Sequence, residues 1–525
     1  MPQMPISVHP NHSRHPRRFL RGWSVLLAAA LAACSHDGWL ALPSVRDLCL
    51  PGRIDGTTPS WWLENEPVAI SIGCQSGTSH PTLRVESLPP GSSFDPNSGL
   101  FSWVPDLGQA GIYHLVVHAG DERGSVRIDI TDAWGVAGNQ PIADPINYTH
   151  EMGVPVLFLN DAPTQNVYAP AQVIFGGRIW PIDAKLRGAA SLGYPKKNYT
   201  LRFFAGDRFD APEEDFEDRK KIVLISTFDD NSQVRQRLAY ETWNSLHPDH
   251  VHIEGFHVVV YRNEVYHGLY VLADHVDRHL YEAHGLDEEG NVYKAINHDA
   301  NFRLVRANGD PKATLHDGYE KKDGLPLQGD PNAFDDLDDL VNFIATTTDT
   351  QFLGEVESRI RVAEYLDWWS FVVFTLAEDS AGKNSYHYHD PNGGLFRFAP
   401  WDFNHSFGQD WRTRRVASTK NRDYRGNNLL FARFMDNEPY ASELTDGMAR
   451  HLQSAFHPDI MLARIDAWLE QIDSAALRDQ EKWNAAYQSY GGWNTRTDFL
   501  DHEGEVDYLR QWIVSRWNHL GGIYR

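Results

Sequence analysis

Hydrophobic and polar residues alternate with a period of two from about residue 60 to residue 134. The apolar runs VAISI, TLRVESL, IYHLVVHAGD and SVRIDITD are separated by clusters of Pro, Gly, Asp and Asn. This alternation is typical of strands with one buried face, and the intervening residues favour turns. Residues 60–134 are therefore predicted to form a small all-β sandwich.

The remainder of the chain, residues 154–525, mixes the strand period with the helix period. Strands are predicted at VPVLFLN, WPIDAKLRG and NYTLRFF, and in a hairpin, GFHVVVYRNEVYHGLYVL, that turns at residues 262–264. Helices are predicted at VRQRLAYETWNSL, FDDLDDLVNFIATT, VAEYLDWWSFVVFTLA, IMLARIDAWLEQIDSAALRDQEKW and VDYLRQWIVSRWNHL. Residues 135–153, which include several Gly, Pro and Asn, are predicted to be a linker. The expected fold class is α+β, with an all-β domain before a larger mixed domain.

The first 33 residues differ from the rest of the chain. Four arginines precede an apolar run that is too short to span a membrane as a stable helix, and the string LAAC ends at Cys34. This pattern resembles a bacterial lipobox. It predicts a lipoprotein signal peptide over residues 1–33, a lipid on Cys34 and a tether over residues 34–59. The alternative is an ordinary secretory signal followed by an unrelated cysteine.

Lipidation of Cys34 would leave two cysteines in an exported, oxidising setting. Those two, Cys49 and Cys74, are predicted to form a disulfide. The alternative is a pair of buried free thiols, because sequence alone does not show that the two residues lie close together. Neither has a nearby His or Asn in a pattern that suggests a catalytic cysteine.

Length and charge narrow the possible functions. A chain of 525 residues can bury a large core and is long enough for about three domains. The net charge of -23 repels phosphate backbones, so general nucleic-acid binding is not expected. No second long apolar stretch follows the first, so membrane attachment is expected only through the N-terminal lipid.

The segment from Tyr365 to Gly408 is the most informative. Its first part, LDWWSFVVF, is apolar nearly all round, which predicts a buried helix. A polar loop, the strand SYHYHD, the turn PNGG and the strand LFRFAPWDF follow. A turn from residue 391 to residue 394 would set Lys383 opposite Asp402 and the neighbouring Asn384 opposite Trp401.

This register brings Asn384 and Asp402 together, with Asp379 one loop away. An Asp, an Asn five residues later and a second Asp beyond a hairpin are the residues that protein kinases use for phosphoryl transfer. The first Asp accepts or orients the proton of the substrate hydroxyl. The Asn and the second Asp offer hard oxygen ligands for Mg²⁺ or Mn²⁺ on the ATP phosphates. The alternative is that these residues are turn and cap residues, since no HRD precedes the loop and the second Asp lies in WDFN rather than DFG.

Several ordered motifs resemble the CotH kinase family, whose fold looks like a divergent protein kinase. LRGAASLGYPKKNYTLRF is similar to the family's RGxSS and PKKxY, FDDNSQVRQRLAYE to its D-x4-R helix start, and HVVVYRNEVYHGLYVLADHVD to its hairpin. LAEDSAGKNSYHYHDPNGGLFRFAPWDFNHSFG resembles its catalytic segment, which ends in PWDxDxsfG. The resemblance implies that Asp379 is the catalytic Asp and that Asn384 and Asp402 are metal ligands. It covers most of residues 155–525.

Two residues depart from the family pattern. Asn404 stands where the family usually has a second acid, and Asp274 stands where a Glu is usual. The first departure is expected to reduce metal affinity, and the second to shorten the reach of the acid toward a lysine. In the first domain, LPPGSSFDPNSGLFSWVPDLGQAGIYHLVVHAGD resembles the immunoglobulin-like domains of bacterial surface proteins, which implies a spacer or docking role.

A kinase also needs a cation near the nucleotide phosphates. Lys196 and Lys197 are the candidates, and Lys197 is preferred because it continues the period of the buried positions in NYTLRF. Its acidic partner is predicted to be Glu241, by analogy with the kinase lysine-glutamate pair, with Asp274 as the alternative. Lys383 is a further candidate for ATP binding. Residues 188–193 are expected either to cover the phosphates or to form a simple hairpin loop.

The leading functional hypothesis is a secreted, lipid-anchored kinase of the bacterial cell envelope, either an outer-membrane lipoprotein or a protein of the extracellular surface. It would use ATP with Mg²⁺ or Mn²⁺ to phosphorylate Ser or Thr of an exported or surface protein. The first alternative is an inactive surface-assembly or binding protein that keeps the fold. The second is another metal-dependent phosphotransferase or nucleotidyl transferase.

Overall fold

The computed structural model describes residues 61–72, 82–120, 122–133, 142 and 144–524. The predicted signal peptide, the tether and the three cysteines, Cys34, Cys49 and Cys74, lie outside these residues. Among the described residues, no helix is both long and apolar enough to cross a membrane.

The N-terminal part contains two small β-sheets that share one apolar core. One sheet has the strand order β1-β7-β6-β3, and the other has the order β2-β5-β4. Trp62, Phe101 and Ile128 are among the core residues, and the alternation of buried and exposed positions in β2 shows the period of two. The strands are β1 (Trp61–Leu63), β2 (Val68–Ser71), β3 (Leu83–Glu86), β4 (Ser93–Asp95), β5 (Leu100–Trp103), β6 (Gly111–Ala119) and β7 (Glu122–Thr131).

An eight-stranded sheet follows, and seven of its strands close into a barrel. The ring closes because β9 pairs with β10 as well as with β16. Its interior is filled by apolar side chains such as Trp180, Leu201 and Phe256. The strands are β8 (His150–Glu151), β9 (Val154–Asn160), β10 (Ala169–Phe175), β11 (Arg178–Arg187), β12 (Asn198–Phe203), β15 (Lys221–Ile225), β16 (Gly255–Arg262) and β17 (Val265–Asp274), with a small hairpin of β13 (Phe209–Ala211) and β14 (Phe216–Arg219) inserted.

A helical region with one four-stranded sheet completes the fold. The sheet has the order β19-β18-β20-β21, with β18 (Asn291–Ala295), β19 (Tyr319–Asp323), β20 (Ser385–His389) and β21 (Arg397–Pro400). The helices are α1 (Arg235–Asn244), α2 (Arg278–Ala283), α3 (Asp335–Thr346), α4 (Asp349–Glu355), α5 (Val362–Thr375), α6 (Leu429–Asp436), α7 (Tyr440–Leu452), α8 (Pro458–Ser489) and α9 (His502–Tyr524). As expected from its composition, α5 is buried on nearly every side.

A buried arginine on α8 joins the small β-sheets to the barrel. Arg478 pairs with Asp132, which follows β7, at 2.9 Å, and with Glu151 of β8. Glu151 also accepts a hydrogen bond of 2.8 Å from Tyr148, so the end of the predicted linker is packed into the protein. Burial raises the pKa of Asp132 to about 6 although the charge of Arg478 opposes this shift.

Candidate functional site

Helix α5 positions the loop that carries Asp379. The helix ends where Leu376 adopts a left-handed conformation with φ of 51°, and a short 3-10 helix over residues 378–380 follows. Trp368 of α5 donates a hydrogen bond of 3.0 Å to the carbonyl of Ser380. A Cβ at Gly382 would lie 2.7 Å from the carbonyl oxygen of Ala300, so the loop requires glycine there. These contacts hold Asp379 at the C-terminal end of a rigid, buried helix.

The hairpin after this loop has the predicted register. Ser385 pairs with Pro400 and Tyr388 with Arg397, and the amide of Trp401 donates a hydrogen bond of 3.1 Å to the carbonyl of Asn384. Asn384 and Asp402 therefore flank the open end of the hairpin. Both have left-handed backbones, with φ of 57° and 61°, a conformation that Asn and Asp tolerate better than most other residues with a side chain.

The Asp379 carboxylate lies between two basic side chains. Lys383 Nζ is 3.0 Å from one carboxylate oxygen, and His298 Nε2 is 3.4 Å from the other. Burial alone would raise the pKa of Asp379, but the contact with His298 and the charge of Lys383 outweigh it and hold the pKa below its usual range. Asp379 is therefore ionised at neutral pH.

Asp379 and His298 line a polar cavity of about 210 Å³. The cavity wall also includes His405, Trp411 and Arg422. Trp411 is 52% exposed, so an aromatic surface stands beside the carboxylate. The cavity has room for a side chain to approach Asp379.

Asp229, which the sequence did not single out, connects two other segments of the site. One oxygen of its buried carboxylate accepts hydrogen bonds of 3.0 Å from Tyr194, 2.5 Å from Asn404 and 2.8 Å from His405. Tyr194 lies in the loop between β11 and β12, while Asn404 and His405 follow Asp402. The backbone carbonyl of Asp229 accepts a further bond of 2.8 Å from Gln409. Asp229 thus ties that loop to the segment after Asp402.

The electrostatic environment of Asp229 and His405 favours an ion pair between them. Burial opposes both charges, but their mutual hydrogen bond outweighs it, so the pKa of Asp229 is lowered and that of His405 is raised. The negative charges of Asp402 and Asp379 raise the pKa of His405 further. The raised pKa favours the protonated, positively charged form of His405 close to Asp379 and Asp402.

The oxygen atoms proposed for metal binding are free of protein partners. Within the described part of the chain, the Asp402 carboxylate and the Asn384 side-chain amide make no hydrogen bond or ion pair, and Asp402 is exposed. Carboxylate and amide oxygens are suitable ligands for Mg²⁺ or Mn²⁺. This donor set fits a hard divalent cation.

The structure corrects the predicted lysine-glutamate pair. Lys196 is fully buried, with its Nζ 2.6 Å from Asp479 of α8 and 2.6 Å from the carbonyl oxygen of Leu269. Lys197 is only half-buried and donates a hydrogen bond of 2.7 Å to the carbonyl of Leu192. Neither lysine pairs with Glu241, and Asp274, the alternative partner, pairs with Arg219 at 2.6 Å. The alternation of buried positions does not extend to the two lysines, because β12 begins only at Asn198.

Comparison with known proteins identifies the family. The family model described as CotH kinase protein matches residues 184–520, which is more than half of the chain. Inner spore coat protein H of Bacillus subtilis (strain 168) is 29% identical over 346 residues, covering 65% of this chain and 86% of that protein. The residues matched by the family model include the Asp379 loop, the hairpin and the Asp402 segment. The chain belongs to the CotH kinase protein family.

Proposed function

We propose that this protein is a CotH-type protein kinase that transfers the γ-phosphate of ATP to a Ser or Thr hydroxyl of an exported or surface protein. One observation carries the proposal. Asp379 faces a cavity, and Asn384 and Asp402, whose side chains have no protein partner among the described residues, flank the adjoining hairpin. A buried helix, an Asp, an Asn five residues later and a second Asp beyond a hairpin follow the order of kinase catalytic segments.

Asp379 would act on the acceptor. Because its pKa is lowered, the carboxylate is ionised and accepts a hydrogen bond from a Ser or Thr hydroxyl in the cavity. Lys383 and His298 hold the carboxylate from both sides and fix its orientation. Such positioning of the nucleophile is the main contribution that a protein makes to phosphoryl transfer.

Asp402 and Asn384 would hold the metal, and bound Mg²⁺ or Mn²⁺ with ATP would supply charge neutralisation and the phosphoryl group. The side-chain nitrogen of Asn404 donates a hydrogen bond to Asp229, and its Oδ1 is buried without a partner among the described residues. A carboxylate at position 404 would meet the Asp229 carboxylate instead, and two buried like charges at hydrogen-bond distance repel each other. The departure from the family pattern is therefore consistent with the presence of Asp229.

The experiment that tests this proposal uses the mature chain, Mn²⁺ or Mg²⁺, and ATP labelled at either the α- or the γ-phosphate, with a general basic protein and an envelope extract as acceptors. Label transferred only from γ-labelled ATP, to Ser or Thr, supports the kinase. Transfer of α-label would support a nucleotidyl transferase. No transfer and no nucleotide binding would refute both enzymatic functions.

We further propose export and attachment through a lipid on Cys34, with the N-terminal β-sheets as an immunoglobulin-like spacer or docking domain. The lipobox-like sequence before Cys34 supports this localisation at the cell envelope. A protein with several acyl chains should partition into detergent with the membranes. The Cys34→Ser variant should be released or remain unprocessed, whereas a wild-type protein found wholly in the soluble fraction would contradict the anchor.

A surface-assembly role without catalysis is the second candidate. The observation that favours it is the 29% identity to inner spore coat protein H, whose name describes a spore coat protein. This role predicts that the Asp379→Asn variant restores surface assembly in a deletion strain as well as the wild-type protein does. Failure of that variant to restore assembly would favour the kinase.

A further inference from the structure

Three basic residues, Lys185, Arg187 and Lys294, lie on one polar face beside the site. Together they form what we call the unpaired patch. Lys185 and Arg187 alternate along β11 with Ala184 and Leu186, which point into the barrel. The two basic side chains therefore project from the outside of the barrel. Lys294 comes from β18, in the sheet that contains the β20–β21 hairpin.

Aromatic contacts place the patch next to Asp402. The Arg187 guanidinium lies 4.6 Å from the centre of the Trp401 ring. Trp401 is the residue directly before Asp402 in the sequence. Lys294 Nζ lies 5.6 Å from the ring of Tyr386, and the Tyr386 and Trp401 rings are 5.9 Å apart. Two cations thus rest on one aromatic pair at the end of the hairpin that carries the proposed metal ligands.

The patch lacks the acidic partners that its neighbours have. On the same face, Arg202 pairs with Asp183 at 2.7 Å, and Lys221 pairs with Asp277 at 2.8 Å. Lys185, Arg187 and Lys294, in contrast, make no ion pair or hydrogen bond to the described residues, and Nη1 of Arg187 is buried without a partner. These unpaired cations occur in a chain with 71 acidic and 48 basic residues.

An unpaired cation in a half-buried position reduces the stability of the fold unless an anion pairs with it. Burial lowers the pKa of Lys294 to about 8, and the charge of Arg187 lowers it while that of Asp402 raises it. Burial and the nearby cations also lower the pKa of Lys185. A bound polyanion would therefore offset both the burial of these cations and their mutual repulsion.

Resting on the proposed kinase function, we infer that the unpaired patch is the polyphosphate subsite of the nucleotide. Arg187 and Lys294 contact the phosphates nearest to Asp402, and Lys185, two residues from Arg187 on the strand, contacts the next phosphate. Residues at this spacing project about 6–7 Å apart, which suits neighbouring phosphates rather than a single one. Asp402 at the edge of the patch would hold the metal ion on the same phosphates. Lys196 and Lys197 are not part of this subsite.

The test measures binding by calorimetry on the mature chain, with ATP plus Mn²⁺ and separately with inorganic tripolyphosphate. Arg187→Met and Lys294→Met should each weaken both ligands by roughly 10- to 100-fold, because each removes a charge-assisted contact. Lys294→Arg should retain most of the affinity. Arg123→Met, on the exposed face of β7, serves as the matched control and should bind both ligands as the wild type does. Thermal unfolding of each variant checks that it is folded.

Each outcome separates this inference from the proposed function. If the wild type transfers phosphate and folded Arg187→Met and Lys294→Met bind ATP normally, or if only Lys197→Met weakens binding, the inference is overturned and the kinase stands. If the wild type binds tripolyphosphate through the patch but transfers no phosphate, the patch stands and the kinase fails. If the wild type binds neither ligand, both fail.

Discussion

Replacement of Asp229 by Asn removes the negative charge to which three side chains of the site are hydrogen-bonded. The Asn side chain has nearly the same shape, and an amide oriented with its oxygen toward Tyr194, Asn404 and His405 still accepts their hydrogen bonds. The change therefore converts three charge-assisted hydrogen bonds into neutral ones without creating a cavity. It also leaves His405 without its counter-ion.

The expected loss of stability follows from these three bonds. Hydrogen bonds to charged groups contribute about 1.5–3 kcal/mol and neutral ones about 0.5–1.5 kcal/mol, so each bond loses about 1 kcal/mol. Because the Asp229 carboxylate is 3% exposed, solvent screening reduces this value little. We expect Asp229→Asn to lower the free energy of unfolding by about 3 kcal/mol. Metal-dependent ATP affinity should fall about 10- to 100-fold, the usual effect of losing a residue that supports metal ligands.

Urea unfolding, followed by tryptophan fluorescence, measures the first effect, and calorimetry with ATP and Mn²⁺ measures the second. Asp466→Asn is the control, because Asp466 forms an exposed ion pair with Arg510 and should change stability by less than about 1 kcal/mol. If Asp229→Asn is as stable as this control and binds ATP normally, the connecting role of Asp229 is refuted.

Three further predictions concern buried charges and the cysteines. Arg235 is fully buried and pairs with both Asp230 and Glu505, so Arg235→Met should cost about 3–5 kcal/mol in urea unfolding; a loss below about 1 kcal/mol would contradict the pairing. The ion pair of Asp229 with His405 should stabilise the fold fully between the unfolded pKa values of about 3.9 for Asp and 6.5 for His, and this contribution should fade as pH rises through the raised pKa of His405. Thermal melts at several pH values should show this decline in stability. If a His405→Gln variant shows the same decline, His405 is not its source. If Cys49 and Cys74 form a disulfide, the unfolded, non-reduced mature protein should contain no titratable thiol, and two thiols would refute the bridge.

Much of the segment from Tyr365 to Gly408 could be predicted because its determinants are local. The apolar residues of α5 predict burial from composition alone, and the PNGG turn fixes the pairing of the two strands after it. Once the register is known, the proximity of Asn384 and Asp402 follows. The hairpin of β16 and β17 was predicted for the same reason, with Asn263 and Glu264 in the left-handed turn positions.

The remaining features depend on contacts between distant parts of the chain. Lys196 pairs with Asp479 on α8, and no local pattern indicates which of two adjacent lysines faces a helix so far along the sequence. Asp229 and Asp230 are also adjacent, yet one contacts the site and the other Arg235. The closing strand β10 was missed because its Pro, Ala and Gln weaken the alternation expected of a strand.

Under the proposed function, Asp379 and Asp402 have different roles in phosphoryl transfer. The most direct measurement compares Asp379→Asn and Asp402→Ala in two assays on the same preparations: calorimetry with ATP and Mn²⁺, and transfer of γ-phosphate to protein. Asp379→Asn should bind nucleotide and metal nearly normally while its turnover falls about 10²- to 10⁴-fold. Asp402→Ala should lose metal-dependent ATP binding and transfer together. If the two variants behave alike in both assays, or if the wild-type protein binds no nucleotide, the kinase account is contradicted.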